Sequence, residues 1–273
     1  MKKILMIGLI MITICISAGA VSAEGLFDLF GDKSDTKNTD DIFIVGFNGD
    51  YPPFGYKDEN GNYTGFDIEL AKEVCKRNNW TFKAQPIIDW NTKQMELDSN
   101  EIDCIWSEFT INGRENNYTW SEPYYNNTQV AAVKSDSNIN GLADMKGKIL
   151  DVQQGSSVLN TIRNNETLNT TFKEINEVDR YDTALMNLQA GICDVVILDN
   201  GMANYLAAKH DDIKLLNDPI SVEQYGIGFK KGNTNLKDQV QKTLDDMFKD
   251  GTVEKIAQNY SDYKISEGLI FPK

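Results

Sequence analysis

The sequence predicts an α/β protein with two lobes, each a mostly parallel sheet flanked by helices. Apolar strand-like runs alternate with amphipathic helical stretches, and this alternation occurs in two separate series along the chain. A βαβαβ series makes its strands parallel neighbours, so two series indicate two sheets. We expect lobe 1 to comprise residues 42–131 plus 226–273 and lobe 2 to comprise residues 132–225. Two hinge crossovers, near residues 131–134 and 223–225, would join them.

The first residues have the features of a secretory signal. Lys2 and Lys3 precede an apolar run at residues 4–16, and small residues at positions 21–23 form a cleavage site. The run is shorter than the roughly 20 residues that span a bilayer. We therefore predict that residues 1–23 are removed and that the protein is exported, either periplasmic or at the cell surface.

The N-terminus leaves two alternatives open, a retained anchor and a lipid-modified end at Cys15. Residues 24–41 are polar and acidic, and we interpret them as a flexible leader. The folded part is then expected to begin near Ile42.

Composition excludes several classes of function. The net charge of −14 argues against nucleic acid and anionic lipid as partners, because both require basic patches. His210 is the only histidine, so histidine-dependent hydrolysis and histidine-rich metal sites are not expected. The cysteines after the signal, Cys75, Cys104 and Cys193, have irregular spacing and are predicted to be buried thiols. We expect no cofactor, no metal and a monomer.

The first series begins with a buried strand at residues 42–45. A helix starts at Asp67, whose side chain we expect to cap the free helical amides. Strands at residues 81–84 and 104–106 follow, with a helix at residues 92–98 between them. The three strands are therefore predicted to be parallel neighbours.

The second series repeats the alternation and then returns to the first lobe. The series starts after the apolar segment at residues 129–133. Its predicted elements are strands at 148–152, near Phe172 and at 194–198, and helices opening at 155–157, around 184–188 and from 200. The chain returns through residues 225–229 and ends in two amphipathic helices.

Arg114 is the first candidate for a ligand contact. It follows a strand end and has Thr110, Asn112 and Gly113 as neighbours. A guanidinium forms paired hydrogen bonds with a carboxylate, and ligands of open α/β sheets bind at the carboxyl ends of strands. Its alternative role is a surface salt bridge.

Three further features fit a small zwitterionic ligand. The turn at residues 155–157 presents backbone amides at a helix start, which favours an anion, although ordinary helix capping explains it equally. Asp199 ends an apolar strand, where it is placed to hold an ammonium group or to cap the next helix. Tyr51 and Trp90 are flat surfaces for a ligand or packing aromatics.

With these residues in this order along the sequence, the chain resembles the extracellular solute-binding proteins of family 3, the polar amino-acid receptors of ABC importers. The resemblance covers about residues 41–265. The matching segments are Tyr51-Pro52-Pro53-Phe54, Gly65-Phe66-Asp67-Ile68-Glu69-Leu70-Ala71, Trp90, Thr110-Ile111, Arg114, Trp120-Ser121-Glu122-Pro123-Tyr124, Gln154-Gly155-Ser156, Asp194 to Asp199, Tyr225-Gly226-Ile227 and Asp250-Gly251-Thr252.

The resemblance implies a two-lobed periplasmic-binding-protein-like fold of type II. In that family an arginine and the amides of the glycine-serine turn bind the ligand α-carboxylate, which implies this role for Arg114, Ser157 and Thr110; Ser156, in the same turn, is also a predicted ligand contact. The aspartate that ends the second-lobe strand binds the α-ammonium group, here Asp199 with help from the Thr110 hydroxyl.

The resemblance also implies the walls of the site. Tyr51 and Trp90 match its aromatic side-chain walls, and Asn48 matches a polar specificity residue. The resemblance implies that the Glu108 backbone carbonyl helps to bind the α-ammonium group. The glutamate side chain departs from the small residue that is usual at this position. If this side chain faces the cleft, which we favour, it selects a cationic side chain; if it faces outward, it has no bearing on specificity. The spacing from Thr110 to Arg114 is one residue shorter than is commonest, which would shift the arginine's approach.

The implied function is capture of a free amino acid, polar or basic, between two closing lobes. The implied partners are the membrane permease and ATPase of an ABC importer. Two alternatives remain, an exported cyclic-acid dehydratase with Glu108 as the general acid, and a ligand sensor without transport.

Overall fold

Two main sheets form the fold in the computed structural model, which describes residues 37–272. The strands are β1 (Ile42–Phe47), β2 (Tyr56–Lys57), β3 (Tyr63–Thr64), β4 (Thr81–Pro86), β5 (Cys104–Ile105), β6 (Thr119–Trp120), β7 (Tyr125–Lys134), β8 (Ile149–Gln153), β9 (Glu174–Val178), β10 (Val195–Asp199), β11 (Ile213–Leu215), β12 (Ser221–Tyr225) and β13 (Gly228–Phe229). The α-helices are α1 (Phe66–Asn78), α2 (Lys93–Asp98), α3 (Ser157–Asn164), α4 (Glu166–Thr171), α5 (Tyr181–Ala190), α6 (Asn200–Ala207), α7 (Thr234–Lys249) and α8 (Thr252–Gln258).

The first sheet has the strand order β4-β1-β5-β13-β6. Strand β1 lies parallel to β4 and β5, as the βαβαβ prediction requires, with Phe43 paired to Phe82 and Val45 to Cys104. Strands β13 and β6 are antiparallel to their neighbours, because they belong to the chain leaving and re-entering this sheet instead of to a βαβ unit.

The second sheet has the order β11-β7-β10-β8-β9, and β12 also pairs with β7. Strand β8 is parallel to β9 and β10, whereas β7 is antiparallel to β10, β11 and β12. Gln129 pairs with both Asp199 of β10 and Ser221 of β12, so these two strands lie on opposite edges of β7. Both sheets are therefore mixed, with parallel pairs confined to their βαβ parts.

The chain passes between the sheets twice, at residues 121–124 and 226–227. The two passages lie side by side: the Ser121 N–H donates to the Ile227 carbonyl at 3.0 Å, and the Tyr124 N–H donates to the Tyr225 carbonyl at 3.1 Å. The first passage comes before the hinge expected near residues 131–134, because β7 already belongs to the second sheet. The division into lobes that move about these passages stays a prediction.

Asp67 does not cap helix α1, so this prediction was wrong. The N-cap residue is Gly65, and no side chain caps the helix. The fully buried Asp67 carboxylate instead accepts hydrogen bonds from the Glu108 backbone N–H at 2.6 Å and the Tyr124 hydroxyl at 2.8 Å. The side chain therefore links α1 to the loop after β5. Burial raises the Asp67 pKa to about 7.

The residues just before β1 belong to the folded part. The Lys37 ammonium forms a salt bridge with Asp103 at 2.8 Å, and the Asp40 N–H donates to the Asn79 carbonyl at 2.7 Å. Residues 37–41 therefore differ from the flexible leader that we predict for 24–41. The predicted signal at 1–23 and the rest of the leader lie outside the described residues. Within residues 37–272, no helix is both long and apolar enough to span a bilayer.

The three cysteines of the described part are free and buried, as predicted. Cys75 lies in α1, Cys104 in β5, and Cys193 just before β10. Burial raises the pKa of Cys75 and of Cys193 to about 12. These thiols therefore act as small apolar side chains in the core.

Candidate ligand-binding site

A cavity opens between the two sheets. Its wall on the side of the first sheet is formed by Tyr51, Trp90, Glu108, Phe109, Thr110 and Arg114. Its wall on the side of the second sheet is formed by Gln153, Ser156, Ser157, Tyr181 and Asp199. The structure thus brings together every predicted site residue except Asn48. Asn48 lines an adjoining cavity, which shares Trp90 and Gln153 with the first.

Arg114 reaches the cavity from the loop after β5 despite its short spacing from Thr110. Its Nη1 donates to the Thr110 carbonyl at 3.1 Å, and its Nη2 donates to the Gly155 carbonyl at 3.1 Å. Because a guanidinium has five N–H donors, these bonds leave three for a carboxylate. Arg114 is only 9% exposed and forms no salt bridge within the described residues, so the surface ion pair considered for it is wrong.

The glycine-serine turn both caps a helix and faces the cavity. The Ser156 hydroxyl accepts a hydrogen bond from the Leu159 N–H at 3.3 Å at the start of α3. Ser157 accepts one from the Gln129 side-chain amide at 2.8 Å. Gly155 has a φ of 67°, in the left-handed region that favours glycine. The turn can therefore bring backbone amides and the helix N-terminus close to an anion.

Asp199 ends β10 inside the cavity wall and does not cap α6 with its side chain. Its carboxylate accepts a hydrogen bond from the Asn127 side-chain amide at 2.7 Å. Its backbone N–H donates to the Tyr51 hydroxyl at 3.3 Å, which joins the two sides of the cavity. Burial raises the pKa of the Asp199 carboxyl. A buried carboxylate without a cationic partner favours a ligand ammonium group.

Glu108 faces the cavity and not the solvent, since it is 8% exposed and lies in the cavity wall. Its carboxylate accepts a hydrogen bond from the Ser107 hydroxyl at 2.6 Å. Its backbone has a φ of 39°, which is rare for a residue with a side chain. Burial and the nearby Asp67 charge raise the pKa of Glu108 well above its usual range.

Aromatic rings enclose the cavity from both sheets. The rings of Tyr51 and Tyr181 meet at 5.0 Å in an edge-to-face arrangement, and those of Trp90 and Phe109 meet similarly at 5.9 Å. All four residues are buried. Such walls pack against the aliphatic part of a ligand while the polar groups fix its ends.

Comparison with known proteins identifies the family. Residues 43–263 match the model of the bacterial extracellular solute-binding proteins, family 3. The chain belongs to this family. The resemblance found in the sequence is thereby confirmed, and so is the two-lobed α/β fold class.

Curated relatives of this solute-binding protein are named for amino acids. It is 28% identical to the L-cystine-binding protein TcyJ of Escherichia coli (strain K12), over 80% of this chain and 81% of the relative. It is 31% identical to the probable amino-acid-binding protein YxeM of Bacillus subtilis (strain 168), over 84% and 87%. It is 28% identical to the lysine/arginine/ornithine-binding periplasmic protein of E. coli (strain K12), over 81% and 88%.

Solved structures support the same architecture. A substrate-binding protein of an ABC uptake transporter from Streptococcus pneumoniae, with bound histidine, has a TM-score of 0.76 at 31% identity, covering 80% of this chain and 92% of that one. The ancestral amino acid-binding protein AncCDT-1, a precursor of cyclohexadienyl dehydratase, has a TM-score of 0.73 at 28% identity, covering 80% and 95%.

Some cavity residues of this solute-binding protein were not predicted from the sequence. Gln153 ends β8, and its place beyond a predicted strand was a usable signal. Tyr181 begins α5 and Phe109 lies in a loop, where no motif marks them. Lys93 is buried beside the cavity, and its ammonium donates to the carbonyls of Trp90 at 2.8 Å and Gly155 at 3.4 Å.

Proposed function

We propose that this protein captures a free amino acid with a polar or basic side chain between its two lobes. The observation that carries the proposal is the placement of Arg114 and Asp199 in one cavity, reached from different sheets. A guanidinium and a carboxylate on opposite sides of a small cavity are complementary to an α-carboxylate and an α-ammonium group.

The charges of the wall favour a basic ligand. Arg114 is the cationic residue of the wall, whereas Asp199 and Glu108 are both acidic. The second carboxyl exceeds what a simple zwitterion requires, so a ligand with an additional cationic group fits best. The aromatic walls would pack against its aliphatic stem. The names of the relatives, which include cystine and lysine/arginine/ornithine, agree with an amino-acid ligand.

Contacts between the two sides indicate how a ligand would act. Arg180 forms a salt bridge with Asp50 at 2.9 Å, and the Tyr51 hydroxyl accepts the Asp199 N–H. A ligand that bonds to Arg114 on one side and Asp199 on the other adds contacts that only a closed form provides. It therefore shifts the lobes toward closure.

The partners and location follow from the family. We propose that the closed form docks on the permease of an ABC importer, which works with its ATPase, and that the protein acts outside the cytoplasm as a monomer. A sensor without transport would use the same cavity.

A second candidate function is catalysis of the dehydratase kind. It is favoured by Glu108, a buried carboxyl whose pKa is raised by burial, a shift that favours the proton-bearing form that a general acid needs. The likeness to a dehydratase precursor agrees with it. Release of product from an arogenate-like cyclic acid, abolished in Glu108→Gln, would support this function over the binding function.

The proposed function is tested by thermal-shift screening of the protein against the twenty amino acids. Binding to the native state alone raises the melting temperature. We expect a shift with one or a few basic or polar amino acids. In Arg114→Ala the loss of the charged hydrogen bonds should cost about 2–3 kcal/mol, roughly 30- to 160-fold in Kd.

Arg163→Ala is the matched control, because Arg163 is exposed on α3 and pairs with Glu177 away from the cavity. It should keep the full shift. A screen without any shift, or a shift retained in Arg114→Ala, would contradict the proposal.

A further inference from the structure

Three strands bring two acidic side chains together behind the cavity. On β7, Gln129 pairs with Asp199 of β10, and Asn127, two residues earlier, pairs with Glu223 of β12. Side chains two residues apart point to the same face of a strand. Asp199 and Glu223 therefore lie on either side of Asn127, and both are buried, at 7% and 4% exposed.

One amide joins the two carboxyl groups. The Asn127 Nδ2 donates to Asp199 Oδ1 at 2.7 Å and to Glu223 Oε1 at 2.8 Å. The Gln129 Nε2 also donates to Glu223 Oε1, at 3.2 Å. By contrast, the buried Asn127 Oδ1 has no hydrogen-bond partner in the described part of the chain. Buried polar atoms are normally paired, so this amide forms fewer hydrogen bonds than it could.

No cation within the described residues neutralises this pair. In residues 37–272 neither Asp199 nor Glu223 has a salt-bridge partner within 4.0 Å. The charged and titratable groups that face the pair from the surrounding elements are Arg114, Glu108, Tyr51, Tyr125, Tyr181 and Tyr225.

The environment of the pair favours retention of a proton. Burial, followed by the charge of Asp199, raises the pKa of Glu223 to about 8, although the nearby hydroxyls of Ser157 and Thr110 favour its ionised form. Burial also raises the pKa of Asp199. Two close carboxyl groups in a site of low dielectric cannot both ionise easily, so they titrate as a pair.

We propose that Asp199 and Glu223 share one proton behind the cavity, and that a ligand ammonium group expels this proton when it binds at Asp199. This inference rests on the proposed function, because it needs an ammonium group at that place. Glu223 is then a positioning residue that doubles the negative charge available to the ligand without lining the cavity itself. The proton passes to the solvent, and no covalent bond of the ligand changes.

The ammonium group supplies a positive charge, which the described residues do not provide to the acidic pair. It carries three N–H donors and a full positive charge, which stabilises both carboxylates once the shared proton has left. A ligand with a hydroxyl in place of the ammonium group could not compensate two negative charges. The site therefore selects against α-hydroxy acids, which otherwise have the same shape.

The shared proton is tested first without ligand. An acid whose folded pKa is raised binds more protons in the folded state, so its contribution to stability is lost as pH rises toward that pKa. We expect the melting temperature of Glu223→Gln, relative to the wild type, to rise steadily from pH 5 to pH 8. Glu122→Gln is the control, because Glu122 is exposed and lies outside the cavity wall. Parallel curves for the wild type and Glu223→Gln would overturn the shared proton.

The expulsion is tested by calorimetric titration with L-arginine at pH 7, in phosphate and in Tris buffer. These buffers have different ionisation enthalpies, so the difference in observed heat counts protons released. We expect the wild type to release up to about one proton and Glu223→Gln far less. The affinity of the wild type for L-arginine should rise by up to about tenfold per pH unit around pH 7, whereas the affinity of Glu223→Gln should stay nearly constant.

Equal proton release in the wild type and Glu223→Gln would overturn the expulsion step. Failure of L-arginine to bind any variant would contradict this step and the basic-ligand part of the proposed function together. The ligand-free melting curves would then still decide about the shared proton, so the two failures are distinguishable.

Discussion

Glu108 combines an unusual backbone with an unusual side chain. Its φ of 39° lies in the left-handed region, and the Asp67 carboxylate holds its N–H at 2.6 Å. A residue with a Cβ is strained there by about 1 kcal/mol or more. The chain nevertheless keeps a glutamate, whose side chain lies in the cavity wall. A contribution of this carboxylate to ligand choice would explain why the strain is tolerated.

We expect Glu108→Gln to lower the preference for arginine over glutamine by roughly tenfold, because it replaces a charge-assisted hydrogen bond by a neutral one. The ratio of the two dissociation constants, measured by calorimetry, gives the result. Glu101→Gln is the matched control, since Glu101 is exposed in the turn before β5. An unchanged ratio in Glu108→Gln would show that this side chain has no part in ligand choice.

At single residues the sequence predicted types of contact better than their details. Arg114 and Asp199, the proposed partners of the ligand carboxylate and ammonium groups, could be placed because Arg114 follows a strand and Asp199 ends one. The role of Asp67 could not, because a buried acid bonded to a distant loop and a helix cap have the same local pattern. That all these residues bind the ligand stays a prediction.

Among the elements, the turn into α3 makes direct contacts between the two sides of the cavity. The Gly155 carbonyl accepts from Arg114 and from Lys93, both of which precede β7 in the chain. A Cβ at Gly155 would lie 2.5 Å from Asn91 Oδ1, so the Asn91 side chain would have to move. The absence of a side chain therefore permits this approach.

We expect Gly155→Ala to weaken ligand binding at least tenfold, since the clash hinders closure in addition to the backbone strain. Gly147→Ala is the matched control, because Gly147 has a similar φ of 76° but no atom near its Cβ position. Melting temperatures should fall similarly in both variants, because the backbone strain lowers the free energy of unfolding by about 1 kcal/mol in each. Ligand affinity should fall only in Gly155→Ala. Equal loss of affinity in both would contradict a role in closure.

The start of β7 could not be predicted from the apolar pattern of the sequence. The second series was predicted to start after the apolar segment at residues 129–133, but this segment lies within β7, which begins at Tyr125. Its first half is polar because Asn127 and Gln129 hold the buried acids of the neighbouring strands. A strand that serves a buried polar network lacks the apolar run by which strands are found.

Over the whole molecule, four buried carboxyl groups gather around the cavity. They belong to Asp67, Glu108, Asp199 and Glu223, and the pKa of each is raised, chiefly by burial. The folded protein therefore retains protons at a pH where the unfolded chain has lost them. Each such group then reduces the free energy of unfolding as the pH rises.

We expect the melting temperature of the ligand-free protein to fall by several degrees from pH 5 to pH 7, since each retained proton changes the free energy of unfolding by up to about 1.4 kcal/mol per pH unit. Lys93 limits the pH range of this effect. Burial lowers its pKa to about 7, so above pH 7 the unfolded chain binds a proton that the folded protein has lost, and the Lys93 contribution to the free energy of unfolding rises with pH. Thermal unfolding at constant ionic strength measures the effect. A melting temperature that rises from pH 5 to pH 7 would contradict it.

The overall architecture was the easiest part to predict, because two series of alternating elements define two sheets without any long-range information. The passages between the sheets were harder to place. They depend on where strands change partners, and polar residues at those places give no periodic signal.

The buried thiols have a practical consequence for observing closure. Thiol-reactive dyes attack the thiolate, and burial holds the pKa of Cys75, Cys104 and Cys193 far above neutral. With Cys15→Ser, the folded protein should take up almost no maleimide dye at pH 7, whereas the unfolded chain should take up three per molecule. Fast labelling of the folded protein would contradict their burial.

The native thiols would then need no removal before a fluorescence experiment. Glu59→Cys, beside the first sheet, and Asn164→Cys, at the end of α3, would supply the reactive positions, because both residues are exposed. Energy transfer between dyes at these two positions would report the opening and closing of single molecules as amino acids arrive and leave.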